Sequence, residues 1–560
     1  MKKFTAFLLV YALLCMTLAG CAAKNEAAAG GAQSTEAPAA AIEGTSIVLS
    51  DEGVTVDGAA APTDDTAAVY VANDIVYYEA GKDFTYGEGT EADAHSQAEA
   101  DSHTVVHITQ AGTYVLSGSL SAGQVAIDLG DGAKEDPSAV VTLVLNGVDI
   151  TSTLAPAVIF YEVYECGSDD EAVATKDVDT SAAGANVVIA DGTENNIAGS
   201  YVARIYRPES VKLSEDGTKV EESKKLHKYD GAFYSRQSMN ITGGEAGTGI
   251  LNITAENEGL DSELHLTVNG GNINITSGND GINTNEDGIS VTTINGGNLN
   301  IVVTGATGEG DGIDSNGWLV INGGTVTASA CSFSGDSGID SDKGIYVSGG
   351  TVIASGNMYD RLEEGGQNYA IFTFARSQSG GSTYTLKNAA GEEVLRCAPV
   401  NDFTYLVVSS PDLAEGDYTF WQGETQLGTT GAGMGGFGGG QRPMAPNGME
   451  KPDMGDRTPP EGMEKPDLEG MTPPDGMEKP DGKEHPEGGR DGFTRNEDGT
   501  ITLPDGTTVD PSQMGRPEEG KGAFGGPIPQ EGQSGETAER SAVFTVTAGG
   551  SFFGGIGAME

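Results

Sequence analysis

One four-residue motif returns five times in the middle of the chain, as Asp230-Gly231-Ala232-Phe233, Glu258-Gly259-Leu260-Asp261, Asp280-Gly281-Ile282-Asn283, Asp311-Gly312-Ile313-Asp314 and Ser337-Gly338-Ile339-Asp340. If the copies stack, Asp261, Asn283, Asp314 and Asp340 form one outward file of oxygens. Residues 231–356 hold 14 acidic side chains against two basic ones, Arg236 and Lys343. Like charges a few ångströms apart repel unless cations neutralise them. Calcium suits such a file, because it takes about 6–8 oxygen ligands in flexible geometry. The candidate ligands are Asp261, Asp280, Asp311, Asp314, Asp336, Asp340 and Asp342, with Glu258 and Asp287 weaker. The glycine of each motif would let the backbone turn its carbonyls toward an ion. The alternative is an ion-free ladder in which Asn and Asp hydrogen-bond along the stack. No Gly-Gly-x-Gly-x-Asp nonapeptide is present, so a toxin-type calcium β-roll is not expected.

Acid–base catalysis has less to work with. Glycoside hydrolysis needs a pair of carboxyl groups, and elimination needs a Lys or Arg base beside calcium. His265 is a lone histidine on a strand and is expected at the surface. Lys343 is the one basic residue beside the acid file, and it reads as a counter-charge for Asp340 and Asp342. No catalytic residue is assigned.

The elements that must position these groups are strands. Gly-Gly recurs at Gly243, Gly270, Gly296, Gly323 and Gly349, at intervals of 27, 26, 27 and 26 residues. Four copies precede an alternating run: Asn272-Ile273-Asn274-Ile275, Asn298-Leu299-Asn300-Ile301, Thr325-Val326-Thr327-Ala328 and Thr351-Val352-Ile353-Ala354. Another apolar run precedes each Gly-Gly, as in Leu264-His265-Leu266-Thr267-Val268. Three short strands per repeat with no helical period predict an all-β fold, a right-handed parallel β-helix or β-solenoid. One repeat cannot bury its apolar face alone, so the repeats must stack, about 4.8 Å apart. Ile273, Ile275, Leu266, Val268 and Ile313 then fill the core, while Asn272, Asn274 and Asp314 face out. A sugar-binding face would present Asn272, Asn274, Asn298 and Asn300, then Thr325 and Thr327. Trp318 and Tyr346, and also Tyr234 and Tyr359, are possible ring platforms, with core or edge packing as the alternative for each.

The net charge of −53 argues against nucleic acid and anionic membrane surfaces as partners, and for cations, neutral ligands or cation-bridged anions. Lys2 and Lys3, an apolar run over 4–16 and then Leu18-Ala19-Gly20-Cys21 resemble the signal and lipobox of bacterial lipoproteins. That resemblance implies lipidation at Cys21 and a protein held on the outer side of the cell membrane. Cys166, Cys331 and Cys397 form neither a disulfide framework nor a zinc pattern.

The expected organisation is a signal peptide at 1–20, a flexible tether at 21–45 and an N-terminal β or irregular segment at 46–102. The β-helix follows at 103–360, then a C-terminal β cap at 361–430. A disordered Gly/Pro/acid-rich tract fills 431–541, where Gly-Met-Glu-Lys-Pro-Asp repeats at Gly448, Gly462 and Gly476, and a terminal strand closes the chain at 542–560. Polar stretches at 166–184 and 207–228 interrupt the strand rhythm as protruding loops, and such insertions often mark a binding face.

The blocks Gly112-Thr113-Tyr114-Val115-Leu116-Ser117-Gly118-Ser119-Leu120, Leu143-Val144-Leu145-Asn146-Gly147-Val148-Asp149-Ile150 and Asp191-Gly192-Thr193-Glu194-Asn195-Asn196-Ile197, followed by the repeats, resemble a secreted bacterial family of carbohydrate-binding parallel β-helices over roughly residues 100–430. The resemblance implies a pectate-lyase-like architecture that carries calcium and binds cellulose-like or polygalacturonate-like polysaccharide without known cleavage. The expectation is a lipid-anchored polysaccharide-binding protein. A calcium-dependent lyase with Lys343 as base, or an adhesion or cell-wall protein, is the alternative.

Overall fold

The computed structural model describes residues 43–360, 362–432 and 539–559, with three two-residue strands at Thr494–Arg495, Ile501–Thr502 and Thr508–Val509. The expected signal peptide, Cys21, nearly all of the tether and most of the 431–541 tract lie outside the described residues.

Within the described residues helix is confined to Gln97–Ala100, capped by Ser96, and three single 3₁₀ turns. The rest of the regular structure is strand, in large sheets with no closed barrel. Three long parallel ladders dominate. The first, here the aspartate ladder, joins Thr104–Ile108, Gly123–Asp128, Val158–Glu162, Gly231–Ser235, Glu258–Ser262, Ile282–Thr284 and Ile313–Ser315. The second holds the strands that precede each Gly-Gly, from Ala185–Ile189 and Met239–Gly243 through Leu266–Val268, Val291–Ile294 and Trp318–Ile321 to Gly344–Val347. The third holds the strands that follow, from Glu194–Gly199 and Ile250–Ala255 through Asn272–Ser277, Asn298–Val303 and Thr325–Ser329 to Thr351–Gly356.

Register follows the sequence period. Leu260, Ile282 and Ile313 stand in line in the first ladder, Val268, Ile294 and Ile321 in the second, and Ile275, Ile301 and Ala328 in the third. All nine are at most 1% exposed and belong to one core shared by the ladders. Burying an aliphatic side chain of that size stabilises by about 1.5–3 kcal/mol, so the stack of repeats holds itself together through this line of side chains. A one-residue slip would send every one of them to solvent, which fixes the register.

Two kinds of glycine sit at the corners for different reasons. The second glycine of the last four Gly-Gly pairs turns left-handed, at φ of 101°, 89°, 79° and 80° for Gly271, Gly297, Gly324 and Gly350. The motif glycines Gly259, Gly281 and Gly312 are not left-handed. A Cβ there would stand 2.5, 2.6 and 2.3 Å from the carbonyl oxygens of Gly281, Gly312 and Gly338. Close approach between repeats, rather than turning freedom for ion binding, explains those glycines.

The last rung of the third ladder is closed by antiparallel pairing of Phe403–Ser409 with Thr351–Gly356, and Tyr369–Gln378 pairs beyond it. Gly550–Ala558 runs parallel to Tyr369–Gln378, and Phe544–Val546 pairs with Gly416–Gln422. An aromatic core of Phe372, Phe374, Tyr384, Phe403, Phe420 and Phe544 fills this end, with Phe372 and Phe420 stacked at 4.2 Å. The open edge that would invite another chain is thereby covered. Cys166, Cys331 and Cys397 are free thiols.

Candidate functional site

The outward row of the aspartate ladder reads Ala126, Ile159, Tyr234, Asp261, Asn283 and Asp314, each in register with the next. Over its apolar start folds the hairpin of Val202–Tyr206 and Lys225–Tyr229, whose Val202, Ile205 and Tyr229 pack on Ala126, Ile159 and Tyr234. That cover overturns the expectation of a solvent-facing file. Asp261 is 0% exposed and Asn283 7%, while Asp314 and Asp340 stay half-buried further along.

Under the end of the hairpin three carboxylates converge. One oxygen each of Asp230, Glu258 and Asp261 lie within 4.8 Å of one another. Asn283 Nδ2 donates to Glu258 Oε1 at 3.1 Å, and Asn285 Nδ2 donates to Asp261 Oδ1 at 2.6 Å. Lys228 Nζ meets Asp230 Oδ2 at 2.6 Å. Three oxygens remain without a partner: Glu258 Oε2, Asp261 Oδ2 and Asn283 Oδ1. All three are buried acceptors, and a buried acceptor without a donor costs about 1–3 kcal/mol.

Electrostatics sharpen the point. Burial pushes the Glu258 carboxyl well up, and Asp261, Asp230 and Asp280 push it further. Burial, then Asp230 and Glu263, do the same to Asp261. Asp230 is raised by burial against the pull of Lys228. Three carboxylates and one ammonium leave two negative charges, which one divalent ion balances. An all-oxygen donor set selects a hard cation such as calcium.

The remaining ligand candidates divide in two. Asp280, Asp311, Asp314, Asp336 and Asp340 crowd together along the next repeats. Burial raises Asp280 and Asp311, and neighbouring aspartates add to it. Asp340 is pushed up to about 7 by burial, then by Asp360, Asp314, Asp342 and Asp336. Part of this group is tied to backbone: Asp280 Oδ1 accepts from the Asp311 N–H at 2.6 Å, Asp311 Oδ1 from Ser337 at 2.5 Å and Asp336 Oδ2 from Gly310 at 2.7 Å. Asp342 lies at the exposed edge of this group, its carboxyl raised by partial burial and Asp287 and lowered by Lys343. Sequence reasoning passed over Asp230 as a ligand, although it heads the first copy of the motif.

The candidate sugar residues occupy two different faces. Asn272, Asn274, Asn298 and Asn300 line the outside of the third ladder and bond to one another: Asn298 Nδ2 donates to Asn272 Oδ1 at 2.8 Å, and Asn300 Nδ2 to Asn274 Oδ1 at 3.0 Å. Trp318 and Tyr346 belong to the second ladder, with Lys343 Nζ 5.0 Å and Lys176 Nζ 5.1 Å from their ring centroids. Tyr234 is 2% exposed and Tyr359 packs on Tyr405 at 5.2 Å, so both are packing residues. Lys343 also faces Glu171, at 3.6 Å. His265 is not at the surface: it is 2% exposed, and its Nδ1 accepts the Val291 N–H at 3.1 Å. Gly167 closes over it so tightly that a Cβ there would lie 2.7 Å from Nε2.

None of the curated proteins compared matches the chain. Among solved structures, one described as the polysaccharide lyase-like protein from C. thermocellum, gadolinium derivative, is 21% identical over 57% of this chain and 92% of that one, with a TM-score of 0.30. Residues 102–368, the stretch that builds most of the three ladders, match the family model of a carbohydrate-binding domain-containing protein, which supports a carbohydrate-binding family and a polysaccharide partner.

Proposed function

We propose that this chain binds plant-type polysaccharide on the outer face of a bacterial membrane, as a lipoprotein anchored at Cys21, through a calcium-stabilised right-handed parallel β-helix. The family match over 102–368 carries the binding assignment. Three parallel ladders that take their strands in turn from successive repeats support the β-helix, and right-handed connection is the rule for parallel strands. Calcium would be held by Asp230, Glu258, Asp261 and the Asn283 oxygen. At 0–7% exposure Glu258, Asp261 and Asn283 cannot touch a polymer, so an ion there ties repeats together rather than bridging to sugar. An ion that also meets an acidic chain would have to sit further along, beside the half-buried Asp311, Asp314, Asp336 and Asp340.

The chain acts without cleaving its polymer. Glu258 and Asp261 are sealed from any glycosidic bond, and Lys343 lies over Trp318 toward Glu171 rather than in the buried acid cluster. The test is retention of the full chain on insoluble cellulose and polygalacturonate, with absorbance of unsaturated product followed in the supernatant. Retention without product is expected for the wild type and Lys343→Ala alike. Product that disappears with Lys343→Ala would establish the lyase instead.

A further inference from the structure

The second ladder carries a groove on its outward face. Its floor is one register row, Asn240, Thr267, Thr293, Val320 and Tyr346, contributed by five successive strands. Beside it runs a row from the residues before each Gly-Gly: Asn295 Nδ2 donates to Asn269 Oδ1 at 2.9 Å, Asn322 Nδ2 to Asn295 Oδ1 at 3.0 Å and Ser348 Oγ to Asn322 Oδ1 at 2.7 Å. These bonds point the amides one way along the groove and hold them in fixed orientation.

The insertion at 166–184 forms the wall. Thr180 pins it to the floor: its Oγ1 donates to Asn240 Oδ1 and meets the Thr267 hydroxyl, both at 2.7 Å, while Asn240 Nδ2 donates to the Thr180 carbonyl at 2.7 Å. At the far end Lys176 lies over Tyr346. Two adjoining cavities of about 460 and 470 Å³ lie between wall and floor and share Asp179, Thr293 and Asn295. Thr180 covers the Asn240–Thr267 end of the row, and the two inter-strand steps of about 4.8 Å from Thr293 to Tyr346 leave about 10 Å of floor, room for about two sugar rings in line.

We propose that this groove is where the polysaccharide lies, and that it takes an uncharged, hydroxyl-rich chain. The inference rests on the polysaccharide-binding reading and adds the place and the ligand class. Amide and hydroxyl groups on a concave floor with one aromatic ring are what a sugar chain requires: hydrogen bonds to its hydroxyls and a flat surface for a pyranose face. The ionised groups on the walls are Asp177, Asp179, Glu363 and Glu364 against Lys176 alone, so an acidic chain meets like charge. Lys176 leaves the Tyr346 face at small cost, because exposed cation–π contacts and ion pairs, here with Asp177 at 2.5 Å, are each worth about 1 kcal/mol or less.

The test compares full chains on insoluble cellulose, as the neutral polymer, and on polygalacturonate. Tyr346→Ala and Asn322→Ala should each weaken retention on cellulose about tenfold, the equivalent of about 1.4 kcal/mol. Tyr346→Phe should retain it, and Thr276→Ala, at an exposed position of the third ladder, should leave it unchanged. Melting curves of each variant separate a lost contact from a lost fold. Wild-type retention that neither Tyr346→Ala nor Asn322→Ala reduces would overturn the groove and leave polysaccharide binding standing. Retention on polygalacturonate alone would overturn the ligand class, and retention on neither polymer would overturn both readings.

Discussion

Removing calcium should do more damage at neutral pH than at acid pH. A carboxyl whose pKa is raised in the fold keeps a proton that the unfolded chain has shed, so ion-free stability falls as pH rises from about 4 and levels off above the folded value. Asp340 is pushed up to about 7, and Glu258, Asp261, Asp280 and Asp311 are shifted in the same direction. One such group loses about 1.4 kcal/mol per pH unit well below its folded pKa and less near it, hence about 2 kcal/mol for Asp340 between pH 5 and 7. With an unfolding entropy of about 2.1 cal/mol/K per residue over roughly 400 residues, that is a fall of about 2–3 °C in Tm, and the buried trio adds to it. Calcium reverses the trend, since its ligands must be deprotonated. At a hundredfold excess over Kd, on the order of 10 mM against the roughly 10⁻⁴ M of extracellular modules, it restores about 2.7 kcal/mol, again about 3 °C. The assay is calorimetric melting of the full chain at pH 5 and 7.5, with calcium and with chelator. The expected result is a calcium increment that is small at pH 5 and several degrees at pH 7.5. A chelated protein whose Tm rises between the two pH values would refute the reasoning.

Three further outcomes follow from particular contacts. Gly312→Ala places a methyl 2.3 Å from the Gly338 carbonyl and should destabilise by about 1–3 kcal/mol in urea unfolding, whereas Gly335→Ala, with open space around it, should be near neutral. Asn298→Ala removes one amide-to-amide bond of an exposed ladder and should lower stability by about 1 kcal/mol, read by the same unfolding curves. Cys21→Ser should move the protein from the membrane fraction to the soluble fraction of cells that export it; equal partition of variant and wild type would argue against the lipid anchor.

The repeat was legible because its period, its glycine corners and its alternating apolar residues all agree, and the register Asp261–Asn283–Asp314 follows from aligning the motif copies, whose spacing varies around that period. Burial was not legible. Asp261 lies under a hairpin whose Tyr229 and Val202 come from an insertion, and nothing in the repeat reveals that an insertion folds back on it. His265 is covered for the same reason, by the 165–167 stretch. The motif glycines were expected to free the backbone for ion binding, but the neighbouring repeat's carbonyls require them. The groove was missed through a choice of face. The asparagines after and before Gly-Gly both form amide ladders, and what sets Asn269, Asn295 and Asn322 apart is that they line the concave side with Tyr346. The 166–184 insertion was the available signal, because it leaves the first ladder after Val158–Glu162 and re-enters the second at Ala185–Ile189, and a polar segment of that length has the reach to fold over the second ladder's face.

Calcium binding by the buried acceptors Glu258 Oε2, Asp261 Oδ2 and Asn283 Oδ1 is the central proposal. Titrating calcium into chelator-stripped full chain by calorimetry, beside a Glu258→Gln and Asp261→Asn double variant, tests it most directly. The account predicts that the wild type takes up calcium with release of protons, and that the variant binds at least one ion fewer with no proton release from this site. Equal stoichiometry and equal proton release in the two proteins would contradict it.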